Sequence, residues 1–326
     1  MPHSGSLDNL KHMGIWNKLF GKKETPAPPS AKLDETTLIH IVNENGVRMS
    51  IPKAQWRERI LPKQLKQYWD EPRQLYLVIL DALKDGFRSD ILEAAEHLYS
   101  IDSSSVEATC IWGIALMEEK RFDEAEKIFL EHQAKCGEVG VVLTNLAKVY
   151  SYRDDDEPKV EKILWRSLEV DPNQENGMSW YCSIQRERFG EAGWQEALRE
   201  IASLRGCWRA PLWLAQEQLN LNHLDRAMEY YRKVLAQVAP EVPEDVMIQI
   251  SGDLGPRGFL NELLELIDPY FDPNSHGIGV GNNLIKANLA QGRKENARRI
   301  HQQLVSMKRP EWTEALNFWN SELLSN

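Results

Sequence analysis

One packing frame recurs along this chain, and it restricts the fold to helices that touch in pairs. In GIALMEEKRFDEAEKIF, residues 113–129, the small Gly113 is followed by the larger Leu116, a polar break at Glu118-Glu119-Lys120, then Ala125 and Phe129. The same frame fits Ile79, Ala82, Gly86, Ile91 and Ala95 one unit earlier. One unit later it fits Leu146-Ala147, Tyr150, Val160, Leu164, Ser167 and Asp171-Pro172, with one extra residue in the acidic turn Asp154-Asp155-Asp156. It returns at Leu214-Ala215, Asn222, Leu224, Ala227, Tyr231 and Pro240, and again at Leu284, Gly292, Ala297, Leu304 and Pro310. Stretches around Trp180–Leu204 and Ile250–Tyr270 follow it more loosely.

The physics of helix contact explains these residue types. A small side chain at Gly113, Ala147 or Ala215 lets the first helix of a unit approach the second, and Ala125, Ala227 and Ala297 do the same for the second helix. Phe129, Tyr231 and Leu164 fill the space between, as interior packing at a density of about 0.74 requires. A single unit cannot bury its apolar face, so units must stack, and the ends need caps. Glu311–Leu324, EWTEALNFWNSELL, suits the C-terminal cap, with Trp312, Leu316 and Trp319 facing the last unit and Glu314, Asn317 and Asn320 facing solvent.

The frame resembles the tetratricopeptide repeat, a helix-turn-helix of about 34 residues with the pattern W-x2-L-G-x2-Y…A-x3-F…P. RFDEAEKIF and HLDRAMEYYRKVL match its second helix, while the opening tryptophan is mostly absent. The resemblance covers roughly Pro72–Pro310. It implies an all-α fold, a right-handed superhelical α-solenoid of about seven helix pairs. The segments WQEALREIASLRGCWRAPLWLA and MIQISGDLGPRG resemble those of bacterial repeat proteins of uncharacterised activity.

Before the array the pattern has period two. Leu38, His40 and Val42 alternate with Ile39 and Ile41 up to Asn45-Gly46, and alternation resumes at Val47, Met49 and Ile51. Asn-Gly between alternating runs predicts a β-hairpin, since both central residues of a type I′ turn need positive φ. An isolated hairpin is marginal in water, so it should lie on the helix opened by Pro52, with Trp56 and Ile60 on one face. The expected organisation is therefore a tail and Pro-rich linker at 1–32, hairpin plus helix at 33–71, the array at 72–310 and a capping helix at 311–326. Within the tail, GIWNKLFGKK places Trp16, Leu19 and Phe20 at helical spacing beside Lys18, Lys22 and Lys23, a candidate membrane contact. His12-Met13 before Gly14 reads as a cloning scar or a second start codon.

Composition narrows the function. The formal charge of −10 and the scatter of basic residues among acids argue against nucleic-acid binding. The four cysteines, Cys110, Cys136, Cys182 and Cys207, form no C-x-x-C pair, so free thiols in a reducing, cytoplasmic setting are expected. No apolar run approaches the ~20 residues of a membrane span.

Catalytic and cofactor signatures are weak. SGDLGPRG (Ser251–Gly258) and GIGVGNN (Gly277–Asn283) lack the G-K-[ST] ending of a P-loop and the flanking elements of a dinucleotide site, so both read as tight turns at helix ends. His97, His132, His223 and His301 sit singly on different units, and the acids Asp154–Glu157 lack the alternate spacing of a calcium loop. A non-enzyme with no cofactor and no metal is expected. An enzymatic reading would need a cluster made by non-adjacent residues, such as Asp154 with His132.

The family resemblance implies instead that stacked first helices line a concave groove that binds a peptide or protein. The groove residues expected on exposed first-helix positions are Asn145, Lys148, Arg186, Trp213, Gln216, Asn282, Asn283 and Lys286. Amides can bond an extended peptide backbone as donor and acceptor, and the cations favour an acidic ligand. Chaperone-binding members hold a C-terminal carboxylate with clustered basic residues and asparagines. Here Asn145 is present, but Cys110 and Ile114 stand where basic and amide groups are needed, so that activity is not expected. Trp180 and Trp208 read as core plugs, and Trp213 as either core or contact. The leading function is a cytoplasmic, non-catalytic scaffold. The alternative is a membrane-associated assembly factor tethered by Trp16, Leu19 and Phe20 and peripheral to the membrane.

Overall fold

The computed structural model describes residues 37–42, 48–154 and 157–325. The expected Asn45-Gly46 turn lies outside them, but the strands it would join are in place. Strands β1 (Leu38–Val42) and β2 (Arg48–Pro52) pair antiparallel, with Ile39 opposite Ile51 and Ile41 opposite Met49. Ile39 and Ile51 are buried, as the period-two pattern requires. The helical segment after Pro52, here α1, runs through Lys53–Gln55, a π-helical Trp56–Ile60 and Leu61–Gln67. Its buried Trp56 stacks on Phe87 at 5.1 Å between ring centres, and the Lys53 Nζ donates to the Asp85 carbonyl at 2.9 Å. These contacts tie the hairpin segment to the first helix pair.

The described chain divides between Trp194 and Gln195 into two compact units. In the first, α2 (Pro72–Lys84) packs on α3 (Leu92–Ile101), α4 (Val106–Glu118) on α5 (Phe122–Cys136), and α6 (Gly140–Arg153) on α7 (Glu157–Val170). First helices α4 and α6 also lie side by side. The helix α8 (Glu175–Ala202) turns at Gly190, at φ 67° and ψ −157°, a conformation essentially restricted to glycine. In the second unit, α9 (Arg209–Asn220) packs on α10 (Leu224–Val238), α11 (Glu244–Leu254) on α12 (Leu260–Ile267), and α13 (Pro273–Ala290) on α14 (Lys294–Ser306). First helices α9, α11 and α13 are successive neighbours there, as are second helices α10 and α12.

One turn geometry recurs inside the pairs. Gly86, Lys120, Asn222, Gly258 and Gly292 all adopt positive φ just after a first helix. The next amide reaches back over the helix end in each case: Phe87 to Ala82, Arg121 to Leu116, His223 to Gln218, Phe259 to Leu254 and Arg293 to Asn288. This closure satisfies carbonyls that the helix end leaves unpaired, and it fixes the direction of the next helix. Gly86 and Lys120 are 34 residues apart, as are Gly258 and Gly292. The fold is thus all-α, built of tetratricopeptide-like helix pairs after a small hairpin.

The C-terminal helix α15 (Thr313–Ser325) caps the last pair as expected. Trp312 is buried, Leu316 and Trp319 pack on the core of the second unit, and Glu314, Asn317 and Asn320 are exposed. The GIGVGNN stretch departs from the expected tight turn. Gly277 alone bends the chain, at φ 60°, while Gly279 to Asn283 are helical. A Cβ at Gly281 would lie 2.6 Å from Leu304 Cδ1, so this glycine brings α13 against α14.

Candidate partner-binding face

In the first unit the first helices are more deeply covered than their sequence positions predict. Every side chain from Ala108 to Met117 on α4 is buried, including Ile114 and Met117, because α3, α5 and α6 all pack against this helix. Asn145 was expected on an exposed face and is only 2% exposed. Its Nδ2 donates to the Val141 carbonyl at 3.0 Å and to Cys110 Sγ at 3.6 Å, while its Oδ1 is buried without a partner. The same packing of α4 against α6 leaves Lys148 half-buried. Burial pulls the Lys148 ammonium down to about 8, against the opposing pull of Cys110 and Glu118. Burial likewise pushes the Cys110 thiol up to about 12. Arg186 is exposed, but it stacks on Trp194 at 3.9 Å and bonds Glu191 at 3.0 Å.

The second unit presents a different arrangement. Gln216 on α9 donates to Asp253 Oδ1 on α11 at 2.7 Å, and Asn283 on α13 donates to Ser251 Oγ on α11 at 2.7 Å. Asn282 accepts from Trp319 Nε1 of the cap at 2.8 Å. Side-chain bonds therefore tie α9 to α11, α11 to α13, and α13 to α15. Each amide is held at one end, and among the described residues Gln216 Oε1, Asn283 Oδ1 and Asn282 Nδ2 bond nothing else. Asp253 is buried and also accepts from Tyr231 at 2.8 Å. Burial raises its carboxyl, and the bonds from Tyr231 and Gln216 pull it back. Lys286 and Ile248 are exposed on α13 and α11, and Trp213 is half-buried on α9.

Two aromatic expectations concern the core. Trp180 and Trp208 are both half-buried; Trp208 packs on the core of the second unit and lies 4.6 Å from the Arg209 guanidinium. Arg209 is itself buried and paired with Asp245 at 2.5 Å, a contact that sequence spacing alone did not indicate.

Titratable groups elsewhere are engaged in packing. His132 is buried with Nδ1 at 2.9 Å from the Thr109 hydroxyl, and burial lowers its basicity. Asp154 instead pairs with Arg153 and Lys159, so the two members of the conceivable His132–Asp154 cluster face different partners. Cys110, Cys182 and Cys207 are buried and Cys136 exposed, all four as free thiols. Among the described residues no group of three His, Cys, Asp or Glu is placed to hold a metal, and no helix is long and apolar enough to cross a membrane. Trp16, Leu19 and Phe20 lie outside the described residues.

No protein-family model matches the chain, and no curated protein matches it. Several solved structures do. A tetratricopeptide repeat protein from Parabacteroides merdae ATCC 43184 is 13% identical over 78% of this chain and 99% of its own, at a TM-score of 0.33. YrrB, a TPR protein with an unusual peptide-binding site, is 15% identical over 72% of this chain and 98% of its own, at 0.30. The Naa15/Naa10 complex bound to HypK-THB matches at 12% identity over 78% of this chain, at 0.35. This chain spans 39% of that protein's matched chain. With TM-scores this low, the helix pairs of this chain are established by its own repeated turns.

Proposed function

We propose that the protein is a non-catalytic scaffold whose second unit binds a segment of another protein along first helices α9, α11 and α13. The observation that supports this reading is the set of amides Gln216, Asn282 and Asn283, each held at one end by a neighbouring element. Amides fixed in this way have already lost their rotamer freedom, so an extended peptide backbone could bond the other end at low entropic cost. Lys286 supplies a positive charge on the same helix as Asn282 and Asn283, which favours an acidic segment. Trp213 supplies a half-buried aromatic edge for an apolar side chain.

The test is affinity capture from the native host with the full chain as bait. Lys286→Glu is expected to lose the proteins that the wild type retains, while Glu229→Lys on second helix α10 keeps them. Both variants should melt with the wild type, since both side chains are exposed. Retention of the same proteins by Lys286→Glu would remove this face from consideration.

A further inference from the structure

We infer that the partner segment crosses α9, α11 and α13 as an extended chain over the bare backbone of Gly252, giving N–H groups to Gln216 and Asn283 and a carbonyl to Asn282. This inference rests on the reading of that face as the binding site and adds the chemistry that the ligand must carry.

The polarity of the three amides is set by what holds them. Gln216 Nε2 donates to Asp253 Oδ1 at 2.7 Å, while the Tyr231 hydroxyl donates to Oδ2 at 2.8 Å. A carboxylate only accepts, so the Gln216 carbonyl oxygen is turned outward. The Ser251 hydroxyl donates to the Ile248 carbonyl at 3.0 Å, so its oxygen accepts from Asn283 Nδ2 and the Asn283 oxygen is likewise turned outward. The Trp319 indole N–H is a donor alone, which fixes Asn282 Oδ1 against it and leaves the Asn282 NH2 group outward. Asp253, Ser251 and Trp319 are thus positioning residues, and through them two acceptors and one donor face the ligand.

Gly252 marks the path between these groups. Residues two apart on a helix point roughly 200° apart, and Ser251 and Asp253 accordingly bond in opposite directions, to α13 and to α9. Gly252 lies between them, exposed, and a Cβ there would meet no atom within 4 Å. Its φ is not positive, and unlike Gly281 it makes room for no neighbouring side chain. A mid-helix glycine costs stability relative to alanine, and here the missing side chain permits close approach of another backbone. The crossing from α9 to α13 covers two interhelical spacings, roughly 16–20 Å, or about five to six extended residues. Two outward acceptors require free N–H groups, so the ligand is an extended acidic segment without proline at those two positions.

The probes are an immobilised pool of randomised acidic decapeptides and the same pool with every backbone nitrogen methylated. Wild-type full chain is expected to retain the first pool about tenfold better than the second. Gly252→Leu should lose the first pool about tenfold while melting at or above the wild type, because its side chain enters open space. Asp253→Asn, which lets Gln216 turn either end outward, should narrow the gap between the pools, and Gly252→Leu decides if that variant folds poorly. In NMR spectra of the free wild type, the side-chain NH2 groups of Gln216 and Asn283 should exchange with water more slowly than that of Asn282. Equal retention of the two pools, an unchanged gap in folded Asp253→Asn, or faster exchange at Gln216 and Asn283 would overturn the inference. If Gly252→Leu retains the pool that Lys286→Glu loses, the path over Gly252 is overturned and the binding face stands. Retention by both variants, or no retention even by the wild type, would overturn the face as well.

Discussion

Gly113 lies so close to the ring of Phe129 that a Cβ built on it would stand 2.1 Å from Cζ and 2.5 Å from Cε1. The glycine is therefore the space into which the second helix places its aromatic side chain, and α4 and α5 can pack at this distance only without a side chain there. Gly113→Ala gains about 1 kcal/mol of helix propensity, but it must displace a fully buried ring. The net loss should be about 1–3 kcal/mol in urea unfolding, and Phe129→Leu in the same chain should recover part of it. An unchanged midpoint for Gly113→Ala would show that the ring moves freely and that the spacing is not set here.

Two non-glycine residues occupy turn positions that glycine fills in other pairs. Lys120 and Asn222 hold φ of 60° and 61°, like Gly86 and Gly292 at 87° and 70°. An L-residue in this region costs up to about 1–2 kcal/mol, with asparagine at the low end. Lys120→Gly should therefore raise the unfolding midpoint more than Asn222→Gly, and Gly292→Ala should lower it, at a cost of about 1 kcal/mol in stability. Calorimetry of the three variants orders them. The reverse order would show that the turns are held by their side chains.

Lys148 sets a pH dependence on stability. Its folded-state value of about 8 is below the ordinary lysine value of 10.5, because burial disfavours the ammonium. Between these values the unfolded chain holds the proton more tightly, so stability from this group rises with pH across that window and is lost as pH falls through about 8. Relative to Lys148→Met, the wild type should gain stability from pH 8 to pH 10.5. Parallel curves for the two proteins across this range would place the ammonium in water.

Much of this architecture was legible in the sequence, because small and large residues at fixed spacing report helix contact directly. Gly113, Ala125 and Phe129, the cap residues Trp312, Leu316 and Trp319, and the paired strands at Ile39 and Ile51 all stand where their patterns put them. The exposure of Asn145 was misjudged because periodicity shows where a helix has one neighbour and not how many it has. A signal was present: α4, VEATCIWGIALME, has only Glu107 as a charge before its last turn, and a helix apolar all round is covered all round. The joints at Gly190 and Gly277 were hidden because one glycine at positive φ barely disturbs a helical pattern. The pairing of Gln216 with Asp253 and of Asn283 with Ser251 depends on which first helices become neighbours, which spacing along one helix does not encode.

The cap is tied to the last pair by one directional bond. Trp319→Phe keeps an aromatic ring against the second unit but removes the donor to Asn282 Oδ1. It should cost about 1 kcal/mol, with exchange rising first along α15. Uniform loss across the second unit would mean that the ring, rather than the bond, fixes the cap.

The claim that this protein binds a partner along first helices α9, α11 and α13 is tested most directly by site-specific photo-cross-linking in the native host. A benzophenone side chain would be placed in turn at Gln216, at Lys286 and, on second helix α10, at Glu229. The account predicts the same cross-linked protein from positions 216 and 286 and none from 229. Cross-links from 229 alone, or from none of the three while the protein still co-purifies with a partner, would contradict it.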